Sequence, residues 1–159
     1  MLNTTQPEIV FYESSLKPFF KSLNYEWLNK YFSVTEEDEK ILSDPEKIIG
    51  NGGCVIFARL KDEIVGTCAL VKKSNDEYEI AKMGVTEEAQ GKKVGLELLD
   101  AIIKEAKRRD AKIVSLETAK PLKAAISLYQ KFGFVQISEE ETHPMFNRKT
   151  FRMELKLNP

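Results

Sequence analysis

The chain has 159 residues, 42% hydrophobic and 31% charged, with 24 basic and 25 acidic side chains for a formal net charge of −1. This length is enough for one domain with a buried core, so residues 1–159 are expected to form a single domain. The interspersed, balanced charge excludes the broad attraction on which nucleic-acid and membrane-surface binders rely. No apolar run approaches the ~20 residues that span a bilayer. The opening MLNTTQPEIV has neither the basic nor the apolar region of a secretion leader. Cys54 and Cys68 fit neither a disulfide framework nor a metal-ligand spacing. A cytoplasmic protein with two buried, reduced thiols and no metal is expected.

In chain order, Glu8–Glu13 (EIVFYE) predicts a first strand, and Ser14 or Ser15 is placed to cap the following helix. Thr35-Glu36-Glu37-Asp38 opens a second helix, its acids suiting the positive end of the dipole, and Pro45 starts a further helical turn through Ile48 and Ile49. Tyr25, Trp27, Tyr31 and Phe32 either pack the core or line an acceptor pocket. Cys54–Leu60, Ile64–Lys72 and Glu77–Val85 read as three strands joined by tight turns, an antiparallel meander.

The most informative stretch runs from Tyr78 to Leu96, a strand leading through a basic, glycine-bearing turn into a helix that opens near Val94. The first N–H groups of a helix lack intrahelical partners and sit at its positive end, so the turn is a candidate anion site. Gly91 and Gly95 allow close backbone approach, and Lys92 and Lys93 add charge. It is neither a P-loop nor GxGxxG. The helix to Arg109 carries an apolar stripe of Gly95, Leu99, Ile102, Ile103 and Ala106. Lys112–Thr118 is then a strand, parallel to its predecessor because a helix crosses between them. Pro121 is placed to begin a helix reaching Lys131, and Gly133 ends it. Phe134–Ile137 and Arg148–Leu157 close the sheet as an antiparallel pair, with Ser138–Asn147 between them as a loop. Strands held apart at the parallel pair would leave a wedge at their C-terminal ends, a favoured place for ligands.

Gln90-Gly91-Lys92-Lys93-Val94-Gly95 resembles the Q/R-x-x-G-x-G/A acetyl-CoA loop of the GNAT N-acetyltransferase superfamily. Ala125 to Phe134 (AISLYQKFGF) is similar to that family's A-I-x-L-Y-x-K-x-G-F segment. The resemblance implies an α+β fold: a mixed, mostly antiparallel sheet of about seven strands with four helices, one parallel pair splayed around acetyl-CoA. It also implies a cofactor site at Met83, Val85, Gln90, Gly91, Lys92, Lys93, Val94, Gly95 and Leu96. Backbone groups of Met83 and Val85 would hold the pantetheine arm, with Gly84 tolerating a bulge.

Acetyl transfer from a thioester to an amine requires proton traffic at both ends, since a lysine-like amine has a pKa near ~10.4 and a thiol near ~8.5. Tyr129 matches the family tyrosine beside the CoA sulfur and is the candidate acid. Glu79 matches a base glutamate on the central strand. Strand alternation puts it on one face with Ala81, Met83 and Val85 unless a bulge breaks the parity. Glu117 or a bound water are alternative bases. His143, beside Pro144 in an acidic loop, reads as solvated, and neither cysteine has a nearby basic residue to activate it. Direct attack in a ternary complex follows.

The chain departs from the family pattern at three places. Lys93 stands at the central loop glycine and must sit at φ < 0 or accept an αL cost of roughly 1 kcal/mol. Leu122 stands where an asparagine is frequent, and Thr86 where a proline is. The expected function is acetyl transfer to a primary amine of a small-molecule or amino-acid-like acceptor, by a monomer or homodimer without nucleic-acid or membrane partners. A protein or peptide acceptor, or a non-catalytic CoA-binding sensor module, are the alternatives.

Overall fold

The computed structural model describes residues 6–157; the first five residues of the stretch read as lacking a leader lie outside them. Eight strands form the sheet: β1 (Glu8–Phe11), β2 (Cys54–Leu60), β3 (Glu63–Lys72), β4 (Glu77–Val85), β5 (Ile113–Thr118), β6 (Val135–Gln136), β7 (Glu141–Thr142) and β8 (Lys149–Lys156). Five helices accompany them: α1 (Lys17–Tyr31), α2 (Glu36–Leu42), α3 (Pro45–Gly50), α4 (Val94–Arg108) and α5 (Lys123–Lys131). The count exceeds the expected seven and four because Pro45 starts a helix of its own and because part of the Ser138–Asn147 loop pairs. β7 is short, polar and non-alternating, so its sequence carries no strand signal; its register against Thr150 and Lys149 makes it one.

The strand order is β1-β2-β3-β4-β5-β8-β6, with β7 pairing β8, and only β4 and β5 run parallel. Helices cover both faces, so β2 and β3 are buried almost throughout rather than on alternate residues. On one face Ile56, Leu70, Ile80 and Val114 pack with Leu98, Leu99 and Ile102 of α4. On the other, Val55, Phe57 and Ala69 pack with Phe20, Leu28 and Leu42. The α4 stripe also includes Leu98, fully buried, and Glu105, which Arg108 and Arg109 hold at 2.8 and 3.0 Å.

Side-chain caps explain two of the five helix starts, those of α2 and α3. Thr35 Oγ1 accepts from Asp38 N (3.1 Å) while Asp38 Oδ2 accepts from Thr35 N (3.0 Å), a reciprocal cap for α2. Asp44 caps α3 ahead of Pro45. The expected cap of α1 by Ser14 or Ser15 does not form: both enter a 3-10 turn, Ser14–Leu16, which leaves Leu16 at the cap position. α5 starts at Lys123, two residues after Pro121.

The opening in the sheet lies between β4 and β5. Their pairing runs from Glu77–Ile113 to Ile80–Leu116 and stops, although β4 continues to Val85 and β5 to Thr118. Just past that point β4 is bulged. Thr67 pairs Gly84 and Ala69 pairs Ala81, so Lys82 and Met83 together oppose Cys68, and Lys82 takes φ +53°. The bulge is therefore at Lys82. Gly84 answers a different need, since a Cβ there would lie 2.9 Å from the Leu23 carbonyl oxygen and 3.1 Å from the Trp27 ring of α1.

Candidate active site

The bulge reverses strand parity. Glu77, Glu79 and Ala81 face the α1–α2 side, but Met83 and Val85 turn to the α4–α5 side and pack into its core. The single face expected for Glu79, Ala81, Met83 and Val85 is thus divided. Tyr129, on α5, is buried on the α4–α5 side against Phe134 (ring centroids 5.8 Å apart). Glu79, paired with Ser115 one position before the strands part, and Tyr129 therefore lie on opposite faces of the sheet. Burial pushes the Tyr129 phenol well above its ordinary pKa, with the Cys68 thiol adding to the effect, so it stays protonated. Its hydroxyl makes no hydrogen bond to another described residue.

Glu79 belongs to a cluster on three strands. Arg152 of β8 reaches Glu77 (3.4 Å), Glu117 (3.5 Å) and Glu79 (3.9 Å), and Ser115 donates to Glu77 at 2.8 Å. Burial is the main force raising the Glu79 carboxyl above its ordinary range. Lys73 and Arg152 oppose the rise, and Glu117 and Glu77 reinforce it. His143 is not a free loop side chain. Its Nδ1 accepts from Met145 N (3.1 Å), and its Nε2 stands 3.4 Å from Glu117 Oε2, which Thr150 also contacts at 3.3 Å. Arg152 went unremarked in the sequence because only strand register brings a residue some seventy positions away beside Glu77 and Glu79.

The basic turn is exposed at Gln90, Gly91, Lys92 and Lys93. Gly91 takes φ +81° and Lys93 φ +65°, so of the two conformations open to Lys93 the left-handed one is adopted. Lys93 is the N-cap of α4 without a side-chain cap bond, and the N–H groups of Val94, Gly95 and Leu96 form the first helical turn. A hollow of about 350 Å³ borders Gly91, Lys92 and Lys93, with Lys61 on its far wall. Gly95 lies where α4 meets α5, 3.4 Å from Leu128 for an added Cβ. A phosphate-bearing ligand fits the free helix N–H groups with Lys92 and Lys93 and the open space beside Gly91, while Lys61 and the acidic Glu97 also border the hollow.

A second charged group was missed entirely. Asp38, fully buried, accepts on Oδ1 from Lys82 Nζ (2.8 Å) and Arg148 Nη2 (2.6 Å), and on Oδ2 from Thr35 N and Oγ1 (3.0 Å each). Phe32 and Phe146 flank the Arg148 guanidinium at 5.3 and 4.8 Å, and Lys82 Nζ lies 4.5 Å from the Phe146 ring. Asp38 reads in the sequence as a helix-capping acid, which it is, and nothing local marks it as a buried ion.

Burial raises both thiols, Cys54 to about 11 and Cys68 further, so neither is poised as a nucleophile. Among the described residues no group of three or more His, Cys, Asp or Glu could hold a metal, and no helix is long and apolar enough to cross a membrane.

Comparison with known proteins agrees with this geometry. The model of the acetyltransferase (GNAT) family matches residues 21–134. An uncharacterized N-acetyltransferase of Dictyostelium discoideum is 35% identical over 79 residues, 50% of this chain and 36% of that one. Alignments with this and two other curated relatives cover 36%, 48% and 65% of the relatives' own lengths. A GNAT-family acetyltransferase of Staphylococcus aureus Mu50 superposes with a TM-score of 0.83 at 22% identity, covering 96% of this chain and all (100%) of that one. YncA of Salmonella typhimurium, a putative acetyltransferase solved with acetyl-CoA, superposes at 0.78 and 19% identity, covering 96% and 94%. With the family model matching most of the chain and the sheet opening where such a fold opens, the chain belongs to the acetyltransferase (GNAT) family.

Proposed function

We propose that this protein transfers an acetyl group from acetyl-CoA to a primary amine of a small-molecule or amino-acid-like acceptor, by direct attack in a ternary complex and in the cytoplasm. The observation that carries this reading is the parting of β4 and β5 after Ile80 and Leu116, with the half-buried Glu79 carboxylate on one face of the sheet and the buried Tyr129 phenol on the other. When bound, acetyl-CoA supplies the activated acyl group. Val94, Gly95 and Leu96 would offer backbone N–H groups to its phosphates, with Gln90, Gly91, Lys92 and Lys93 completing the turn. The backbone of Met83 and Val85 would align the arm along the open part of β4, where an N–H is available to a developing oxyanion. Glu79 takes the amine proton, directly or through water, and Tyr129 donates to the departing sulfur. The raised, buried thiols of Cys54 and Cys68 support attack without a covalent enzyme intermediate.

Thiol release from acetyl-CoA across a panel of amines tests the reaction, and its pH profile tests the base. A base works deprotonated, so kcat/KM is expected to climb with pH on a limb above the ordinary glutamate range, because Glu79 titrates high. Glu79→Gln should remove that limb and lower the rate about 100-fold. If Glu117→Gln removes the limb instead, the base is Glu117.

Lys93 is expected to act in two ways. Lys93→Gly relieves the left-handed strain and should raise stability by up to about 1 kcal/mol, a midpoint gain of a few degrees. Loss of the charge should weaken acetyl-CoA binding by roughly 3- to 10-fold in calorimetry. Tighter binding by the variant would refute a role for the Lys93 charge.

A further inference from the structure

The cluster around Asp38 is unbalanced in charge and in hydrogen bonds. Lys82 and Arg148 are both cations with side chains only 9% and 10% exposed, and Asp38 is the single carboxylate contacting them among the described residues. Its four acceptor positions are taken, two by these cations and two by Thr35. Arg148 Nη1 is left as a buried donor with no partner among the described residues. A buried cation in excess, with an orphaned N–H, costs several kcal/mol unless an anion completes it.

The position of the cluster is specific. Lys82 is the bulged residue of β4 just beyond the point where β5 leaves, and it projects to the same face as Glu79. Arg148 immediately precedes β8, two residues before Thr150, which contacts Glu117. Phe146 covers the guanidinium from the short turn between β7 and β8, packed beside His143 (ring centroids 4.7 Å apart). His143 thus stands beside Glu117 (3.4 Å), and Phe146 stands between His143 and the two cations.

Resting on the transferase reading above, we propose that Arg148 and Lys82 form the seat for a carboxylate on the acceptor. The substrate class is then an amine that also bears a carboxylate, its amine toward Glu79 and its carboxylate taking the Arg148 Nη1 donor and the unused Lys82 protons. Phe146, a side chain on an exposed turn, turns aside to admit the carboxylate and covers it afterwards. The planar fork of Arg148 suits a carboxylate because one nitrogen stays with Asp38 while the other is free. An acceptor lacking the anion leaves the excess charge unmatched, so the site discriminates by what it leaves unpaired.

The test compares L-amino acids with their carboxamides and with the amines that lack the carboxyl group, such as phenylalanine, phenylalaninamide and phenethylamine. The readouts are thiol release and, independently of turnover, the melting midpoint in the presence of CoA. Carboxylated members should be preferred over their amides by roughly 10- to 100-fold in kcat/KM, the worth of a charged hydrogen bond. Arg148→Lys keeps the ion pair to Asp38 but has a single nitrogen in place of the fork, so it cannot hold Asp38 and also reach the Nη1 position, and it should erase most of that ratio while retaining the CoA-induced midpoint shift. Equal use of acids and amides by the wild type, or an unchanged ratio in Arg148→Lys, would overturn the seat while leaving the transferase reading intact. Carboxylates that raise the wild-type midpoint but not that of Arg148→Lys, without thiol release, would support the seat and defeat the transferase reading. No carboxylate-dependent midpoint shift and no carboxylate-dependent rate would overturn the seat.

Discussion

Replacing Tyr129 with phenylalanine is expected to lower kcat about 100- to 1,000-fold while acetyl-CoA binds within about twofold of wild type. The substitution removes one oxygen from a ring that otherwise keeps its packing against Phe134. Burial holds the phenol protonated far above neutral pH, so it can donate over the whole working range. A thiolate leaving without that donor departs at a cost set by its own basicity, which is why the loss should appear in kcat rather than in KM. Steady-state rates with a calorimetric Kd for acetyl-CoA separate the two. A variant with wild-type kcat would mean that the proton reaches sulfur from elsewhere, and Tyr129 would then be a core aromatic.

The second large effect concerns folding. Asp38→Ala strips from two buried cations the one carboxylate that contacts them among the described residues, and it removes the Asp38 half of the reciprocal cap of α2. Breaking a buried pair by removing one partner costs about 3–5 kcal/mol, which for a chain of this size lowers the midpoint by roughly 10 °C. Thr35→Ala removes the hydroxyl bonds to Asp38 N and Oδ2 but leaves both cations paired; it should cost about 1 kcal/mol, and the remaining difference reports the ion pairs. The pH dependence has a definite sign. Burial alone would raise the Asp38 carboxyl, but the bonds from Lys82, Thr35 and Arg148 outweigh it and hold the group below its ordinary value. A lowered folded-state pKa means that the stabilisation is present above the unfolded value, near ~4, and is lost as the pH falls through the folded one. Wild type and Asp38→Ala should therefore differ most at neutral pH and converge in strong acid. Denaturation midpoints at several pH values check this, and a constant gap down to pH ~2 would show that Asp38 does not carry the charge balance.

How much of the site was legible differs between its parts for a physical reason. The turn from Gln90 to Leu96 was readable because helix N-termini, glycines and lysines act locally, within one stretch of chain. Glu79 and Tyr129 were named through motif positions, but strand alternation gave the wrong faces for Met83 and Val85. The bulge that divides them is set by the pairing of β3 with β4, where Cys68 must oppose two residues. His143 was read as solvated because its neighbours in sequence are polar, whereas β7 and β8 carry it to Glu117. Arg152 and Arg148 had no local signal at all.

The sequence by itself determined the order of the main strands and helices, the parallel pair forced by the α4 crossover, the basic turn that opens α4 and the family. Periodicity, capping residues and short motifs are properties of contiguous chain, and the hydrophobic pattern reports them directly. Only the tertiary structure decided where β4 leaves β5, which face each carboxylate takes, and that Asp38, Lys82 and Arg148 meet. Those contacts join residues as many as 110 positions apart, and their energies depend on burial and pairing that no local window contains.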